Sequence, residues 1–414
     1  MTSASGAALN RRTLIKLVAA SASLAACAPS AADKKKHVAV IGGGIIGTSI
    51  AYHLAREGAQ VTLLERGGLA ERASRGTFAW INATWAKQPR RYHELNQEGL
   101  MGWKRLQTEL QIPVRWGGSL EWFPSADRQE RLVQQIAEQV EWGEPASMLS
   151  GDELTSLEPN VDFGGVDQVA YSPNDGALDP ELAAKMLAEA ATKLGAVVRE
   201  NCAVEGVASS SDGRVTLSTS CGDVQVDDYV LATGADPSAI EMLADLEVPQ
   251  RTTPGVIVVT KPMPQLINRI IVAPGVHIHQ REDGRVVLGE QDGAPETAAH
   301  AERLRGRPTR FPEPVFAEQH ASRILAIAEQ FVPGMGSAEI ADVFIGWRPL
   351  PLDGHPVLGR SPNRPASYVA IMHSGVSLAP VVGELVAREI VTGQTAPGLE
   401  DYRPDRSFEA VRRY

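Results

Sequence analysis

The stretch Val38-Ala39-Val40-Ile41-Gly42-Gly43-Gly44-Ile45-Ile46-Gly47 constrains this chain more than any other. A short β-rich run leads straight into three glycines at the spacing G-x-G-x-x-G. Thr48 to Glu57 then reads as a helix with Ile50, Ala51 and Leu54 on one side. Val61 to Leu64 reads as a second strand, and it ends at Glu65, 18 residues after Gly47. Each part has a physical role. Gly42 makes the tight turn, Gly44 lets the backbone approach a pyrophosphate, and Gly47 lets the helix pack on the sheet. The amides of Ile45 and Ile46 open the helix and offer free N–H groups and positive dipole to phosphate. Glu65 stands where an acid takes the ribose hydroxyls. Strand, turn, helix, strand and acid together predict a Rossmann-like nucleotide site. They do not separate FAD from NAD.

The first thirty residues differ in kind. Arg11, Arg12 and Lys16 form a basic start, and the apolar stretch Leu17 to Ala26 follows. A membrane-spanning helix needs roughly 20 apolar residues, so this shorter stretch reads as a targeting segment. Arg11 to Lys16 resembles a twin-arginine export signal. Leu24-Ala25-Ala26-Cys27 resembles a bacterial lipobox, which would make Cys27 the lipid-bearing N-terminus. Twin-arginine export suits a protein that folds around a nucleotide in the cytoplasm. One acyl chain alone anchors weakly. The expected location is the periplasmic face of a bacterial membrane.

Charge narrows the partners. Three of the 40 Lys and Arg precede Cys27 and no acid does, which leaves 37 against 50 Asp and Glu, a net of −13. Such a chain is repelled by nucleic acid and by anionic lipid; a small zwitterion or amine suits it better. Cys202 and Cys221 could pair in an exported protein, but small buried thiols are the favoured reading.

Further segments share one pattern: Glu71-Arg72-Ala73-Ser74-Arg75-Gly76-Thr77; Asp175-Gly176-Ala177-Leu178-Asp179-Pro180; Val230-Leu231-Ala232-Thr233-Gly234-Ala235; Gly346-Trp347-Arg348-Pro349; Asp353-Gly354-His355-Pro356; and His373-Ser374-Gly375-Val376-Ser377-Leu378-Ala379-Pro380. Together with the glycine turn they resemble the D-amino acid oxidase and glycine oxidase superfamily of FAD-dependent oxidoreductases, from about Lys36 to Arg406. The resemblance implies non-covalent FAD, with Gly42 to Gly47 at the pyrophosphate and Glu65 and Arg66 at the adenosine ribose. Ser74, Arg75, Gly76 and Thr77 would pass near the pyrophosphate and flavin. Val204 would pair with adenine, and Thr233 and Gly234 would close the crevice. His373, Gly375, Val376, Ser377 and Leu378 would lie by the flavin ring, at a helix start whose dipole favours negative charge.

Arg348 matches the family's carboxylate-binding arginine, and a guanidinium fork can pair both oxygens at once. His277 falls where glycine oxidase has a substrate-pocket tyrosine. On an alternating strand His277 and His279 share a face, which is either a pocket wall or a polar outer face. Neither has a carboxylate or thiolate at metal-ligand spacing, so no metal site is read. Trp80 and Trp85 either line the cavity or pack between domains. The tract His373-Ser374-Gly375 is two residues shorter than its glycine oxidase counterpart and lacks that enzyme's arginine, which puts glycine itself in doubt. The flavin-linking cysteine of sarcosine oxidases has no counterpart after Cys221.

The expected fold class is α/β, α+β overall. A discontinuous FAD-binding domain is expected at 36–85, 165–240 and 340–406, and a substrate domain with an antiparallel sheet at 86–164 and 241–339. Residues 1–35 would be the export segment and 407–414 a tail. Residues 127–142 read as a surface helix, and Val256–Thr260, Gly275–Gln280 and Arg285–Gly289 as the substrate sheet. The expected chemistry is oxidation of the C–N bond of a small amino acid or N-substituted amino acid by hydride transfer to flavin, with no general base. The imine formed would hydrolyse. Dioxygen or a membrane quinone would be the electron acceptor. An NAD-dependent dehydrogenase and a non-catalytic or electron-relay flavin lipoprotein are the alternatives.

Overall fold

In the computed structural model, residues 1, 35–82, 87–209, 213–290, 302 and 304–411 are described. The readings made on Arg11, Arg12, Cys27 and Trp85 lie outside them.

The strand His37–Ile41 sits inside a six-stranded sheet because both of its faces are apolar. Gln60–Leu64 and Asp228–Leu231 flank it in parallel, with Val40 opposite Leu63 and Val230. Ser367–Ile371 and Val197–Arg199 extend the sheet in parallel, and Val357–Arg360 closes one edge antiparallel. Alternate side chains feed two different cores. Val38 and Val40 join the helical layer, while Ala39 and Ile41 join the other face.

The helical layer is built by Ile45–Arg56, Pro180–Lys193, Gly375–Thr392 and Arg90–Leu110. Asp179 caps the second of these by accepting from the amides of Glu181 and Leu182, and Pro180 fills its first position. The opposite face is covered by Pro237–Ala244 and by a small antiparallel sheet of Val204–Ser209, Val215–Thr219 and Val224–Val226.

A second sheet of eight strands runs in the order Ile340–Pro351, Gln250–Pro262, Arg285–Gly289, Val276–Gln280, Ile270–Ala273, Ser119–Glu121, Val169–Ser172, Ser147–Leu149. Every pairing is antiparallel except Ile270–Ala273 with Ser119–Glu121. Helix Pro314–Phe331 packs Ala321, Ile324 and Ala328 into its core. The helix expected at 127–142 is Ala126–Glu141.

The structure redraws two boundaries. Helix Arg90–Leu110, grouped by sequence with the substrate segments, packs Leu95, Leu100, Trp103 and Leu106 into the nucleotide-domain core. Trp103 Nε1 donates to the Val376 carbonyl at 2.7 Å. Strand Ile340–Pro351, grouped with the nucleotide segments, pairs along its length with Gln250–Pro262. Proximity in sequence to the site motifs misled both assignments; the apolar partners decide them.

Cys202 and Cys221 form a disulfide, with Cα atoms 5.3 Å apart, and this corrects the free-thiol reading. The cause lies in the hairpin register. Val204 lies opposite Thr219, so residues just outside that pair are brought together. Cys202 is nonetheless buried.

Candidate active site

A cavity of ≈ 1490 Å³ is lined by the glycine turn, by the start of the C-terminal helix beside it, and by Arg348. Its nucleotide end is built from backbone. Gly42 adopts φ +112°, and a Cβ there would collide with the Ala232 carbonyl. A Cβ on Gly47 would collide with the carbonyl of Gly42, so the helix can sit this close to the turn only without a side chain. Gly47 itself does not line the cavity; it packs. Gly44, Ile45 and Ile46 do line it.

The Ile45 amide donates to Ser74 Oγ at 3.0 Å, which ties the turn to the segment after Glu71. Glu65 lines the cavity and braces the turn, accepting from the Gly43 amide at 2.7 Å and the Gly67 amide at 2.9 Å. Arg66 also lines it and pairs with Asp236 at 2.8 Å. Val204 and Gly234 stand in the same wall. So does Thr233, whose Oγ1 is buried with no protein partner among the described residues. A cradle closed to Cβ atoms, an orphan hydroxyl and a carboxylate at the end of the second strand fit the adenosine diphosphate half of FAD.

Two expectations are corrected here. Arg75 does not reach the cavity. Its guanidinium pairs with Glu181 at 3.0 Å and with Glu71 at 3.6 Å, and lies over the Phe344 ring. Those carboxylates satisfy it on the outer side of the segment, while Ser74, Gly76 and Thr77 face inward. Leu378 is fully buried in the helical core, on the face of its helix turned away from the cavity.

The glycine turn and the C-terminal tract converge. A Cβ on Gly375 would lie 3.4 Å from Ile46 Cγ1. Farther along, Ser49 Oγ donates to the Ala379 carbonyl at 2.6 Å. Ser374 has φ 56°, and from it the helix Gly375–Thr392 begins, with its first turn facing the cavity through Gly375, Val376 and Ser377. His373 lines the cavity beside them, its Nδ1 3.3 Å from Ser374 Oγ.

The other end is a pocket of aromatic and basic groups. Arg348 lines it from strand Ile340–Pro351. The strand opposite carries Gly255, where a Cβ would lie 2.8 Å from Arg348 Nη2, so the absent side chain makes room for the guanidinium. His277 lines the cavity with Phe78 and Trp80, at ring separations of 5.3 and 6.0 Å. His279 shares the contact with Phe78 but is packed behind it, its Nε2 2.8 Å from the Phe78 carbonyl. Burial lowers its pKa to about 3, with Arg281 adding to the shift, and the ring stays neutral. Trp80 Nε1 donates to buried Asp175 at 2.8 Å, and Ser119 Oγ donates to the same oxygen at 2.9 Å. The motif Asp175-Gly176 thus fixes the indole that walls the pocket.

Sequence reading passed over Asn82 and Lys87. Both line the cavity, and the Asn82 amide donates to Ser377 Oγ at 2.9 Å. A lysine ahead of a charged helix reads as a surface residue, and no local pattern marks its burial. Among the described residues, no group of three or more His, Cys, Asp and Glu is placed to hold a metal.

The profile of the DAO family, described as FAD dependent oxidoreductase, matches residues 37–389. Glycine oxidase of Bacillus licheniformis is 28% identical over 391 residues, covering 92% of this chain and 100% of that protein. The crystal structure of glycine oxidase from Geobacillus kaustophilus superposes with a TM-score of 0.78 at 24% identity, covering 91% of this chain and 100% of the other. The L-proline dehydrogenase of P. horikoshii gives a TM-score of 0.76 at 23% identity, covering 89% and 97%. The span of the family profile and the two-sheet architecture agree with the geometry of the cavity, and the chain belongs to the DAO family of FAD-dependent oxidoreductases.

Proposed function

We propose that this enzyme oxidises the carbon–nitrogen bond of a small amino acid or N-substituted amino acid. One observation carries the reading: Arg348 opens into the same cavity as the glycine turn and the first turn of the C-terminal helix. FAD is the cofactor of the family, which sets aside the NAD-dependent alternative. Relatives that bear the names glycine oxidase and L-proline dehydrogenase support an amino acid as substrate class.

When bound, FAD supplies the acceptor for a hydride from the substrate carbon next to nitrogen. The chain's residues supply position. Arg348 pairs the substrate carboxylate through its planar fork. Phe78, Trp80 and His277 form the side of the pocket and limit the bulk beyond the α-carbon. The amine must be neutral to give up the hydride, and a pocket that orients it contributes up to ~7–11 kcal/mol of barrier lowering in good cases. The imine product hydrolyses once water reaches it. Dioxygen or a membrane quinone accepts the electrons.

The proposed location is the periplasmic face of a bacterial membrane, with Cys27 carrying lipid. The disulfide Cys202–Cys221 supports this, because such bonds persist in oxidising compartments. Labelling of the expressed chain with a fatty acid, lost in Cys27→Ser, tests the anchor.

The test of function is anaerobic bleaching of the bound flavin by glycine, N-methylamino acids, D- and L-amino acids and simple amines. Bleaching by at least one amino acid is expected. A flavin that no member of the panel reduces would instead favour an electron-relay role.

A further inference from the structure

One half-buried cation of the cavity wall is not used by the chemistry above. Lys87 Nζ donates to the Asn82 carbonyl at 2.6 Å and to Asn82 Oδ1 at 3.2 Å. An ammonium has three donors, so one is left, and the surface that Lys87 exposes faces the cavity. Asn82 is in turn held by Ser377 in the first turn of the C-terminal helix, so the ammonium has a fixed place in the wall. Among the described residues the carboxylate whose charge acts on Lys87 is Asp175, and Asp175 already accepts from Trp80 and Ser119. Burial lowers the lysine pKa to about 8, and Asp175 offsets only part of that. A half-buried cation in the cavity wall, with no carboxylate bonded to it, is placed to receive an anionic group of a ligand.

The neighbouring helix continues the same chemistry outward. Gln88 Nε2 donates to Glu138 Oε1 on helix Ala126–Glu141. One turn back from Glu138 is Gln135, and one turn further is Arg131; both line the cavity. Arg131 has no ion-pair partner among the described residues and is exposed. A chain of net charge −10 thus sets two basic groups, Lys87 and Arg131, in the lining of one cavity.

We propose that Lys87 is a second carboxylate-binding group of the active site, and that the substrate is an amino acid whose nitrogen substituent or side chain carries a second carboxylate. The proposal rests on the amino acid oxidation reading: Arg348 holds one carboxylate and Lys87 the other. The two cations belong to different layers. Arg348 lies over Gly255 in the eight-stranded sheet, and Lys87 is tied through Asn82 to the C-terminal helix.

The test uses the FAD-loaded full chain and two inert ligands, thiodiacetate and methylthioacetate, in which sulfur replaces the amine. Binding is read from the perturbation of flavin absorbance. Thiodiacetate is expected to bind at least tenfold more tightly. Lys87→Met is expected to bring the ratio of the two affinities close to one, and Lys87→Arg to keep it. The preference declines as pH rises through about 8. Asp175 is the charged group acting directly on Lys87, and the cavity is also lined by Arg128 and Arg131 on the adjoining helix and by Glu121 and His277 on the eight-stranded sheet, with Glu138 bonded to neighbouring Gln88. Equal affinity for the two ligands in the unaltered protein overturns the proposal, as does a Lys87→Met loss that falls on both alike. The first comparison needs no variant, so it decides even if Lys87→Met fails to fold. Flavin bleached by N-methylglycine but not by iminodiacetate sinks the second carboxylate and leaves amino acid oxidation standing. Flavin bleached by no amine sinks the oxidation reading, while the inert ligands still report on Lys87.

Discussion

Gly76 and Gly346 meet backbone to backbone, and a Cβ on either would collide with the main chain of the other. This contact joins the segment that lines the nucleotide cavity to the strand that carries Arg348 two residues later. It holds the proposed substrate arginine in register with the cofactor site. Gly346→Ala is expected to force the two segments apart, at a cost of about 1–3 kcal/mol as in other overpacked sites. Thermal melting should show the loss, and the ratio of flavin to protein absorbance should fall with it.

Arg348→Ala should leave flavin bound and weaken carboxylate ligands. Removing one partner of a hydrogen-bonded charge pair costs about 2–5 kcal/mol, or roughly 30- to 5,000-fold in affinity. Arg348→Lys should recover only part of this, because an ammonium cannot present the planar fork. Titration of the flavin spectrum with a monocarboxylate measures both. Unchanged affinity in the alanine variant would remove Arg348 from the site.

The disulfide closes a loop of sequence separation 19. Loops of that size give about 3 kcal/mol of stabilisation in the chain-entropy account. Cys202→Ser combined with Cys221→Ser should lower stability by that order. It should also loosen the cofactor, because Cys202, Ala203 and Val204 line the cavity side by side. Calorimetry of the oxidised protein and of the double variant gives the first quantity, and FAD dissociation the second.

His53 and His279 are both buried, and burial lowers each pKa to about 3 from 6.5. Neither ring takes a proton in the folded state until the pH nears 3, while the unfolded chain takes it near 6.5. The unfolded state therefore binds more protons between those values, so stability falls as pH drops below 6.5. Each histidine contributes a slope of up to about 1.4 kcal/mol per pH unit in that window. His53 packs against the C-terminal helix near Gly383, and both its ring nitrogens lack hydrogen-bond partners among the described residues, so His53→Leu should flatten part of the slope. Urea unfolding between pH 4 and 7 provides the check; parallel curves for the two proteins would refute it.

What could be read from sequence follows how local each requirement is. The turn at Gly42 needs a positive φ and the helix at Gly47 needs absence of a Cβ, and both demands are written within ten residues. Arg348 and the tract from His373 to Ser377 came through family resemblance, since nothing in their own spacing announces a shared cavity. The side on which Arg75 falls depends on Glu71 and Glu181, and the second of these is remote in sequence. Leu378 differs from Ser377 only by 100° of helical rotation, enough to turn it from the cavity into the core. The cysteine pairing depends on hairpin register, and the burial of Lys87 on a helix and a turn distant from it in the chain. Tertiary placement decides such features, and single-sequence periodicity does not see it.

The order of strands in the six-stranded sheet has a consequence for biosynthesis. The central strand His37–Ile41 is made more than 300 residues before Ser367–Ile371 and the helix that completes the cavity. A nascent chain that has not yet reached Ser367 therefore lacks one wall of its own binding site. The cofactor can be captured only once that strand and that helix have been made. Any machinery that moves this protein elsewhere must wait for that event or forgo it.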